Sequence, residues 1–440
     1  MTRLSYHRRR IAFEPTLTPA RTSRQGVHTM TYRPARMKFG LFMAPFHRAG
    51  ENPTLALRRN LDLIEHLDRL GYDEVWIGEH HSGTRETIAD PAIFIAAAAE
   101  RTQRIKLGTG VSSLPYHHPF MLADQMNMLD HLTRGRAMFG VGPGLLASDA
   151  YQLGIEPPEQ RRMMAEALDV ILRLLRGETV TEKTDWYELR DARLQLPSYT
   201  FPHLPVAVAS STTPAGPTQA GKHGVGLLSV AGASHETFER TWNWVEEAAA
   251  DSGKTVDRAD WRVVISFHLA DTKEEALADL EARFPHRAYV ADGRRPGLGA
   301  FAAKGATMRQ EIDATPNLIV GTPDDAVAAV ESIVERSGGL GGVLATHHEW
   351  ADTAKTYKSY ELWARHVAPH FQGMHHPLME QRDWFDASQG KFFARSQEAT
   401  ERAFSDAGKE LTPEIREQMR MIAERRAARE AATRDAGNGA

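Results

Sequence analysis

The chain of 440 residues contains no cysteine. This absence excludes disulfide bonds, thiolate metal ligands and cysteine nucleophiles, and it suits a protein of the reducing cytoplasm, which is the location we expect. The sequence also lacks an unbroken apolar run of about 18 residues, the length that a membrane-spanning helix requires. The formal net charge is −4, so there is no general positive charge to attract nucleic acid. We therefore expect neither a membrane nor a nucleic acid among its partners.

Lysine and acidic residues are scarce at the start of the chain. Residues 1–36 contain eight arginines but no lysine, and Glu14 is the single acidic residue there. Because this segment shows no apolar periodicity, we predict a disordered arm. Two other interpretations stay open: a targeting sequence, or a natural start at Met30 or Met37 that leaves the arm without a function.

Alternating β-type and helical patterns begin at Lys38 and continue to residue 370. Because 42% of all residues are hydrophobic, a chain of this length can bury a large core. Strands that are regularly followed by amphipathic helices indicate a parallel sheet covered by helices. Eight such strands predict an α/β fold, a (β/α)8 TIM barrel, over residues 37–370. The predicted strands are 38–44, 73–81, 105–110, 136–141, 204–209, 224–230, 261–270 and 341–346.

Three segments depart from the regular alternation. Residues 180–196 alternate like a β-hairpin, which predicts an excursion from the barrel. Residues 284–322 form a long basic stretch with several glycines, and we predict a lid over the barrel mouth because long loops in compact domains are usually functional. Residues 371–440 are highly charged, with a helical pattern at 412–433, and they predict a helical C-terminal extension.

The stretch from Asp73 to His81 carries the most informative chemistry. An apolar run ends here in a carboxylate and two imidazoles, so reactive groups lie at the carboxyl end of a strand, where TIM barrels build their active sites. Side chains alternate along a strand, so Trp76, Gly78 and His80 share one face. We assign this face to the barrel interior, because the β-branched residues between them suit packing against helices.

Paired histidines follow three predicted strands, as Glu79-His80-His81, His117-His118 and His347-His348-Glu349. Imidazoles and carboxylates at a barrel mouth can hold a divalent metal that activates water for hydrolysis. However, only one residue of each adjacent pair can face inward, and carboxylates that would support the ligands are not evident in the sequence. We therefore predict no metal site, although the hydrolytic interpretation stays open.

A second interpretation combines a phosphate site with one titratable base. Ser210 to Thr213 follow the fifth strand and precede a helix opened by Pro214, so hydroxyls and free backbone N–H groups point at one place. Glycines at the ends of strands two to four leave space for a flat ligand. The imidazole of His80 can exchange a proton near neutral pH. Each feature alone is explained by a helix cap or a turn, but their joint placement favours a flavin phosphate.

An ordered series of motifs resembles the bacterial-luciferase-like family of flavin-dependent monooxygenases over residues 37–370. The series consists of Met37-Lys38-Phe39-Gly40, Gly71 to Trp76 leading to Glu79-His80-His81, Leu107 to Gly110, Leu114-Pro115 through His118-Pro119, Asn127 to Asp130, Gly135-Arg136 and Phe139 to Gly142. The resemblance implies a barrel that binds reduced flavin, FMN or FAD, at its carboxyl end. It further implies a homo-oligomer, a dimer or a tetramer, and a separate flavin reductase that consumes NADH.

The resemblance also assigns roles to residues. It implies that His80 is the catalytic base, with Glu79 beside it, and that the Gly110–Val111 peptide lies under the isoalloxazine as a non-proline cis bond. The predicted cofactor-binding residues are Gly78, Thr109, Gly110, Val111, Asn127, Gly142, Tyr151, Ser210, Ser211 and Thr212. The predicted walls of the substrate pocket are Met43, Phe46, Trp76, Tyr116 and His118.

Two positions depart from luciferase itself. Pro143 stands where luciferase holds the flavin phosphate with an arginine, and Gly142 stands where it has a cysteine beside the flavin. These departures argue against light emission and leave Arg161 or Lys222 as candidate cationic partners of the phosphate. The motifs that instead resemble the limonene-monooxygenase branch of the family are Gly142-Pro143-Gly144, Ser148 to Tyr151 and Gln160 to Met164.

The expected reaction is transfer of one oxygen atom from O₂ to a small apolar substrate, such as a terpene alkene, through a flavin C4a-hydroperoxide. His80 would handle the protons, and residues 284–322 would shield the site from water. Two other functions stay open on the same fold. One is a deazaflavin (F420)-dependent reductase that transfers hydride and ignores O₂, and the other is a flavin-binding protein without catalytic activity.

Overall fold

The computed structural model describes residues 31–43, 47, 50–82, 86–229, 235–281, 307–314 and 318–437. Two compact units are present, with the boundary between Gln372 and Gly373. This boundary lies close to the one predicted at residue 370. The first unit holds the predicted barrel, and the second holds the predicted C-terminal extension.

A closed parallel barrel forms the centre of the first unit. The strands in the described residues are β1 (Lys38–Met43), β2 (Glu74–Ile77), β3 (Lys106–Thr109), β4 (Ser112–Ser113), β5 (Ala137–Gly142), β6 (Val180–Lys183), β7 (Glu188–Ala192), β8 (Val206–Ser210), β9 (Gly226–Ser229), β10 (Trp261–Leu269), β11 (Leu318–Gly321) and β12 (Gly342–Thr346). The barrel follows the order β1-β2-β3-β5-β8-β9-β10-β12, and β12 pairs with β1. The predicted (β/α)8 TIM barrel is confirmed.

Helices follow the barrel strands along the chain and pack on the outward-facing side chains. In the first unit they span Pro53–Leu70, Pro91–Ala99, Pro119–Thr133, Ala147–Gln152, Gln160–Leu175, Ala215–His223, His235–Asp251, Lys273–Glu281, Met308–Ala314, Pro323–Ser337, Thr353–Leu362 and Ala368–Phe371. Local sequence signals mark both ends of the helix Pro323–Ser337. Thr322 and Asp325 form a capping box before it, and Gly338, with a φ of 71°, ends it in the left-handed conformation. Both ends of the helix Pro323–Ser337 are therefore marked by residues next to them in the sequence.

The barrel encloses a small core of its own, formed by Trp76, Met138, Ala207, Leu228 and Leu344. Val75 and Ile77, the neighbours of Trp76 on β2, instead join the main core between strands and helices. The predicted alternation is therefore confirmed within β2, but the predicted strand 73–81 is too long, because β2 ends at Ile77 before Gly78 and His80. The interior is a packed layer of side chains and not a channel.

Glycine makes room for the ring of Trp76. A Cβ atom on Gly108 would lie 2.8 Å from that ring, and a Cβ atom on Gly140 would overlap the carbonyl oxygen of Thr109. The space that we assigned to a flat ligand at these two glycines is thus filled by indole. A ligand at the barrel mouth must lie above this layer.

The prediction of a hairpin agrees with the structure, whereas the prediction of a lid agrees with it less well. β6 and β7 pair antiparallel, which confirms the hairpin predicted at residues 180–196. Of the predicted lid at 284–322, residues 284–306 and 315–317 lie outside the described residues. The described end contains the helix Met308–Ala314 and β11, which pairs in parallel with β10. The prediction of an irregular loop is wrong for that end, because β11 extends the sheet beside β10.

The two terminal segments also differ from expectation. Residues 1–30 of the predicted arm lie outside the described residues, but the backbone N–H of Tyr32 donates to the Gly338 carbonyl at 2.9 Å. The guanidinium of Arg36 contacts the Asp73 carboxylate at 2.8 Å, so the described part of the arm is attached to the barrel.

In the C-terminal extension, the helix Pro413–Gly437 agrees with the predicted helical pattern at 412–433. The 31-residue helix His376–Asp406 was not predicted. None of its residues is buried, so its sequence lacks the clear apolar stripe that reveals a helix. Among the described helices, none is both long and apolar enough to cross a bilayer.

A buried ion pair lies at the amino end of the barrel interior. Arg262 of β10 contacts both carboxylate oxygens of Glu74, the first residue of β2, at 2.7 and 3.2 Å. The Arg262 guanidinium also lies 5.6 Å from the centre of the Trp76 ring. Burial raises the pKa of Glu74, but the charge and hydrogen bonds of Arg262 outweigh this effect and lower it. The pair links two strands that are not neighbours in the barrel.

Removing one member of this pair should destabilise the barrel. Arg262→Met leaves the Glu74 carboxylate buried without a counter-charge, and we expect a loss of about 3–5 kcal/mol in the free energy of unfolding. Urea unfolding followed by circular dichroism measures the loss. The double variant Glu74→Leu/Arg262→Met should recover much of it, because no unpaired charge remains.

The matched control is Arg190→Met, which removes an exposed ion pair with Glu188. That change should alter the free energy of unfolding by less than about 1 kcal/mol. Equal losses for Arg262→Met and Arg190→Met would show that the buried pair has no special weight.

Candidate active site

His80 follows β2 at the carboxyl end of the barrel, and its side chain is 14% exposed. Nδ1 of the ring lies 3.1 Å from the carboxylate of Asp149, and Nε2 lies 2.9 Å from the carboxylate of Glu86. The backbone N–H of His80 donates to the Ile88 carbonyl at 3.2 Å. A carboxylate therefore lies close to each ring nitrogen: Asp149 forms a hydrogen bond with Nδ1, and Glu86 forms an ion pair with Nε2.

These contacts determine the charge of His80. Burial lowers the pKa of its imidazole, but hydrogen bonds and negative charge from Glu86 and then Asp149 outweigh burial. The pKa of His80 is therefore raised above its usual value of 6.5. The predicted catalytic residue has an environment that favours its protonated form.

Asp149 joins the turn after β2 to the segment after β5. It lies on the short helix Ala147–Gln152 and is 1% exposed. One carboxylate oxygen accepts hydrogen bonds from the backbone N–H of His81, at 3.2 Å, and from the Ser82 hydroxyl. The other oxygen faces His80. Donors from three consecutive residues thus converge on one buried carboxylate.

Glu79 forms a second centre beside the first. Its buried carboxylate accepts from Nε2 of His117 at 2.6 Å, from Nε2 of His81 at 3.1 Å and from the backbone N–H of Ser113 at 2.6 Å. Burial raises the pKa of Glu79, but the hydrogen bonds from His117 and His81 outweigh burial and lower it. Within the described part of the chain, His80 is not among the hydrogen-bond partners of Glu79. Glu79 thus connects the end of β2 to the segment after β3.

The segment that carries Glu86 is anchored by its next residue. Oγ1 of Thr87 lies 2.6 Å from Nδ1 of His47, and Nε2 of His47 lies 2.6 Å from the amide nitrogen of Asn60. An amide nitrogen only donates, so Nε2 of His47 accepts and the ring proton is on Nδ1. Burial lowers the pKa of His47 to about 4, in agreement with a neutral ring.

A buried polar group lies at the end of β8. Ser210 ends that strand and is 3% exposed, and its Oγ has no hydrogen-bond partner among the described residues. The helix Ala215–His223 starts shortly after it. A Cβ atom on Gly216 would overlap the Ala209 carbonyl oxygen, so helix and strand approach closely. A buried hydroxyl without a partner, beside the free N–H groups of a helix start, fits an anionic ligand.

Several predicted cofactor residues meet at the carboxyl ends of β2, β3 and β5. The Gly110–Val111 peptide is cis, as the resemblance implies. The N–H of Gly110 donates to Ile77 at 2.6 Å, and the hydroxyl of Thr109 donates to Gly140 at 2.7 Å. Gly142 pairs with Ser113, and Gly78 donates its N–H to Met43 at 2.9 Å. Ser211 and Thr212 are exposed in the turn after Ser210.

Two predicted pocket walls are wrong. Met43 is fully buried in the main core, on the side of β1 that faces the helices, whereas the adjacent Phe42 packs against the interior cluster. Trp76 is 1% exposed within that cluster, so it supports the mouth from below and does not line it. Phe46 lies outside the described residues.

Tyr116 keeps its predicted position near the mouth. Its hydroxyl accepts from the Gln160 amide at 3.1 Å, and its ring lies 6.0 Å from that of His81. Burial, followed by the charge of Asp149, raises the pKa of Tyr116 to about 12, so the hydroxyl is neutral. Its contact with substrate stays a prediction.

Other predicted contacts are corrected by the geometry. His118 is exposed and lies 6.5 Å from the ring of Tyr187, so the inward residue of this pair is His117. Asn127 is buried on the helix Pro119–Thr133, where its amide nitrogen donates to the Leu196 carbonyl at 2.8 Å, and its predicted cofactor contact stays a prediction. Tyr151 is 85% exposed, and its predicted cofactor contact stays a prediction.

Lys222 and Arg161, the two candidate cationic partners of the flavin phosphate, lie in different parts of the barrel. Lys222 is near the end of the helix Ala215–His223, opposite the start that adjoins Ser210, so it is wrong as a phosphate partner. Arg161 follows Gln160, whose amide donates to the Pro143 carbonyl after β5 at 2.8 Å. Arg161 therefore remains a candidate.

The histidine pair His347-His348, which follows β12, contacts residues outside the His80 and Glu79 networks. Nδ1 of His347 lies 3.0 Å from the hydroxyl of Tyr360, and Nε2 of His348 lies 3.1 Å from the carbonyl of Phe267. Burial lowers the pKa of His347 to about 3, so that ring is neutral. The three histidine pairs therefore do not act as one cluster.

Sequence reasoning missed Asp149, Glu86 and His117. Asp149 lies within a motif that contributes to the family resemblance, and an acid between small residues just after a barrel strand could have indicated it. Of the pair His117-His118, we selected His118 for the site from the sequence and not His117. Nothing local marks Glu86, because its role depends on the chain folding back beside His80.

Comparisons with known proteins agree with the geometry. The profile of the family described as luciferase-like monooxygenase matches residues 37–340. Limonene 1,2-monooxygenase of Rhodococcus erythropolis is 48% identical over 341 residues, which cover 77% of this chain and 87% of that protein. 4-Hydroxyprotoasukamycin monooxygenase of Streptomyces nodosus subsp. asukaensis is 47% identical over 347 residues, which cover 77% of this chain and 93% of that protein.

A solved structure shares the fold. The oxygenating constituent of 3,6-diketocamphane monooxygenase from Pseudomonas putida, in complex with FMN, gives a TM-score of 0.65. The match covers 76% of this chain and 98% of that chain at 24% identity. At this identity the likeness shows a common barrel architecture alone.

Proposed function

The chain belongs to the luciferase-like monooxygenase family, and we propose that it uses reduced flavin to insert one oxygen atom of O₂ into a small apolar substrate. The observation that carries the proposal is the position of two unusual groups at one barrel end. These are the His80 imidazole, which follows β2, and the unpartnered buried hydroxyl of Ser210, which ends β8. One supplies a proton-transfer group and the other a place for a phosphate.

The residues after β8 fit a flavin phosphate. Ser210, Ser211 and Thr212 offer hydroxyls, and the backbone N–H groups at the start of the helix Ala215–His223 carry partial positive charge. Because FMN and FAD share the phosphate next to the ribityl chain, both suit this position. The flavin ring would then lie toward Gly110 and Val111, above the interior core.

The substrate surface is apolar beneath His80. Phe42 and Val111 are partly buried and pack against the interior cluster around Trp76. The 48% identity to limonene 1,2-monooxygenase supports an alkene as the substrate class. When bound, reduced flavin supplies the two electrons that convert O₂ and an alkene to an epoxide and water. The chain's own residues would orient the substrate, exclude water and move protons.

A flavin-coupled oxygenation assay tests this function. Anaerobically reduced FMN or FAD is mixed with the full chain and a terpene alkene, and oxygenated buffer is then added by stopped flow. We expect epoxide formation coupled to flavin oxidation, and a loss of turnover by about 10²–10⁴-fold in His80→Gln. The control variant His131→Gln, on the outer helix Pro119–Thr133, should retain the wild-type rate.

The same assay distinguishes the two alternative functions, a deazaflavin-dependent reductase and a non-catalytic flavin-binding protein. Hydride transfer to deazaflavin without O₂ uptake would identify a reductase. Flavin binding without product, and without any effect of His80→Gln, would identify a non-catalytic binding protein. We also propose that NADH supplies the electrons through a separate flavin reductase, so NADH and flavin alone should give no turnover until a reductase is added.

The phosphate site makes its own prediction. Ser210→Ala should raise the Kd for FMN by about 10-fold or more, since a hydrogen bond to a charged group contributes about 1.5–3 kcal/mol. Riboflavin lacks the phosphate, so its Kd should not change, and titration calorimetry measures both. Ser198→Ala, which alters the loop before β8, serves as the control. Equal losses for FMN and riboflavin would place the phosphate elsewhere.

We further propose that the protein is a homo-oligomer, a dimer or a tetramer. The helix Pro91–Ala99 contains only apolar residues, yet Ile93 is 68% exposed. The adjacent helix exposes Met121, Met128 and Leu132. A helix that is apolar on all sides is normally covered, and an apolar patch of this kind marks an interaction surface. A second copy covers such a face by twofold symmetry.

Mass measurement by light scattering tests the oligomer. The wild type should give two or four times the chain mass of 49.0 kDa, and Met128→Glu/Leu132→Glu should shift it toward a single chain. Met379→Glu, in the C-terminal extension, is the control. A monomeric wild type would refute the proposal, and dissociation by the control alone would move the interface to the extension.

A further inference from the structure

His80 has an ion-pair partner at each ring nitrogen, and this arrangement bears on the protonation state of the ring. A neutral imidazole has one N–H and one lone pair, so it donates to only one acceptor. At His80, a carboxylate lies 3.1 Å from Nδ1 and another lies 2.9 Å from Nε2. Negative charge beside both ring nitrogens therefore favours a ring that is protonated at both of them.

We infer that His80 is an imidazolium in the resting protein, with Asp149 and Glu86 as its positioning residues. This inference rests on the proposed function for its catalytic meaning. His80 then enters the reaction as a proton donor and a fixed positive charge, and not as the base that the family resemblance implies. Asp149 and Glu86 act through His80 and do not themselves touch substrate.

Asp149 is held in place by donors other than His80. Its second oxygen already accepts from the backbone N–H of His81 and from the hydroxyl of Ser82. These donors fix the carboxylate so that its other oxygen points at Nδ1 of His80. With 1% exposure, Asp149 is also shielded from solvent screening.

Glu86 is held by a separate network. Thr87, the next residue, contacts Nδ1 of His47, and Asn60 fixes the tautomer of that ring from the helix Pro53–Leu70. The His80 backbone N–H binds the carbonyl of Ile88 in the same segment. Backbone and side chain of the 86–88 segment are therefore both fixed against His80, so its ring is clamped from two independent directions.

Other titratable groups near His80 do not reverse the direction in which its pKa is shifted. The positive or protonatable side chains are His81 and His117, both paired with the Glu79 carboxylate. His47 and Tyr116 are neutral because burial shifts the pKa of each in the direction of its uncharged form. Among the described residues, the charged groups that act on the His80 ring are thus Glu86, Asp149 and His81, whereas Glu79, His117, His47 and Tyr116 belong to the adjoining networks.

A proton donor satisfies the balance of the proposed reaction. Anionic reduced flavin, O₂, an alkene and one proton give oxidised flavin, an epoxide and water. One O₂ oxygen forms the epoxide, and the other leaves as water with the added proton. We assign delivery of that proton to the His80 imidazolium, which is then reprotonated from solvent. A resting base would have to acquire this proton first.

Nuclear magnetic resonance of ¹⁵N-histidine in the full chain tests the charge without any flavin. The chain has 20 histidines, so the His80 signals are assigned by their loss in His80→Gln. We expect both ring nitrogens of His80 to show imidazolium shifts at pH 7. A neutral His80 at pH 7 would overturn the inference, whatever the activity assay shows.

Single substitutions test the two positioning residues. Asp149→Asn and Glu86→Gln should each lower the pKa of His80 by about 1–3 units, because each removes one negative charge in contact with the ring. Asp185→Asn, on the hairpin, is a matched control that should leave the pKa of His80 unchanged. A pKa of His80 that is equal in all three variants would overturn the assignment. If a variant does not fold, the wild-type spectrum still decides the charge.

The pH dependence of turnover connects the charge to catalysis. A group with a raised pKa keeps its proton up to a higher pH, so the rate should fall only on the alkaline side of that pKa. In Asp149→Asn, this alkaline limb of kcat should move to lower pH, while the KM for the alkene stays the same. A limb that does not move would overturn the proton-donor role, and an inactive wild type with a cationic His80 would overturn the proposed function alone.

Discussion

Backbone pairing of β12 with β1 closes the barrel, with Lys38 opposite Gly342 and Phe42 opposite Thr346. Closure removes both edges of the sheet and fixes the direction of every strand. All eight carboxyl ends then meet at one mouth. Residues that are far apart in the chain, such as Asp149 and His80, come within 3.1 Å of each other because of this closure.

Below the mouth, a large indole and small glycines divide the interior. Trp76 fills the space that Gly108 and Gly140 leave open, and the Arg262–Glu74 pair closes the barrel beneath it. A packed interior resists compression and holds the strand ends in fixed positions. The polar groups described above therefore lie above Trp76, in the loops after β2, β3, β5 and β8.

The three adjacent residues Glu79, His80 and His81 show how one strand end serves two networks. His80 turns toward Asp149 and Glu86, while Glu79 collects His81 and His117 around a buried carboxylate. The two networks share Asp149, which also accepts the backbone N–H of His81. Three carboxylates contact three imidazoles here, and these contacts raise the pKa of His80 and of His81.

Local sequence determined the barrel strands, most helix positions and the presence of His80 at a strand end. The signals were short-range: alternating side chains on β2, and a capping box with a terminal glycine around the helix Pro323–Ser337. The same reasoning recognised the hairpin at 180–196. These features depend on residues within a few positions of each other, which is why they can be inferred without tertiary contacts.

Tertiary structure alone decided which residues share the site. Phe42 and Met43 are adjacent and both apolar, and only the closed barrel shows that Phe42 faces inward. Asp149 meets His80 across 69 residues of sequence, and Glu86 reaches it because the 86–88 segment folds back. Such pairings are set by barrel closure and loop path, and neither is encoded in the residues next to His80.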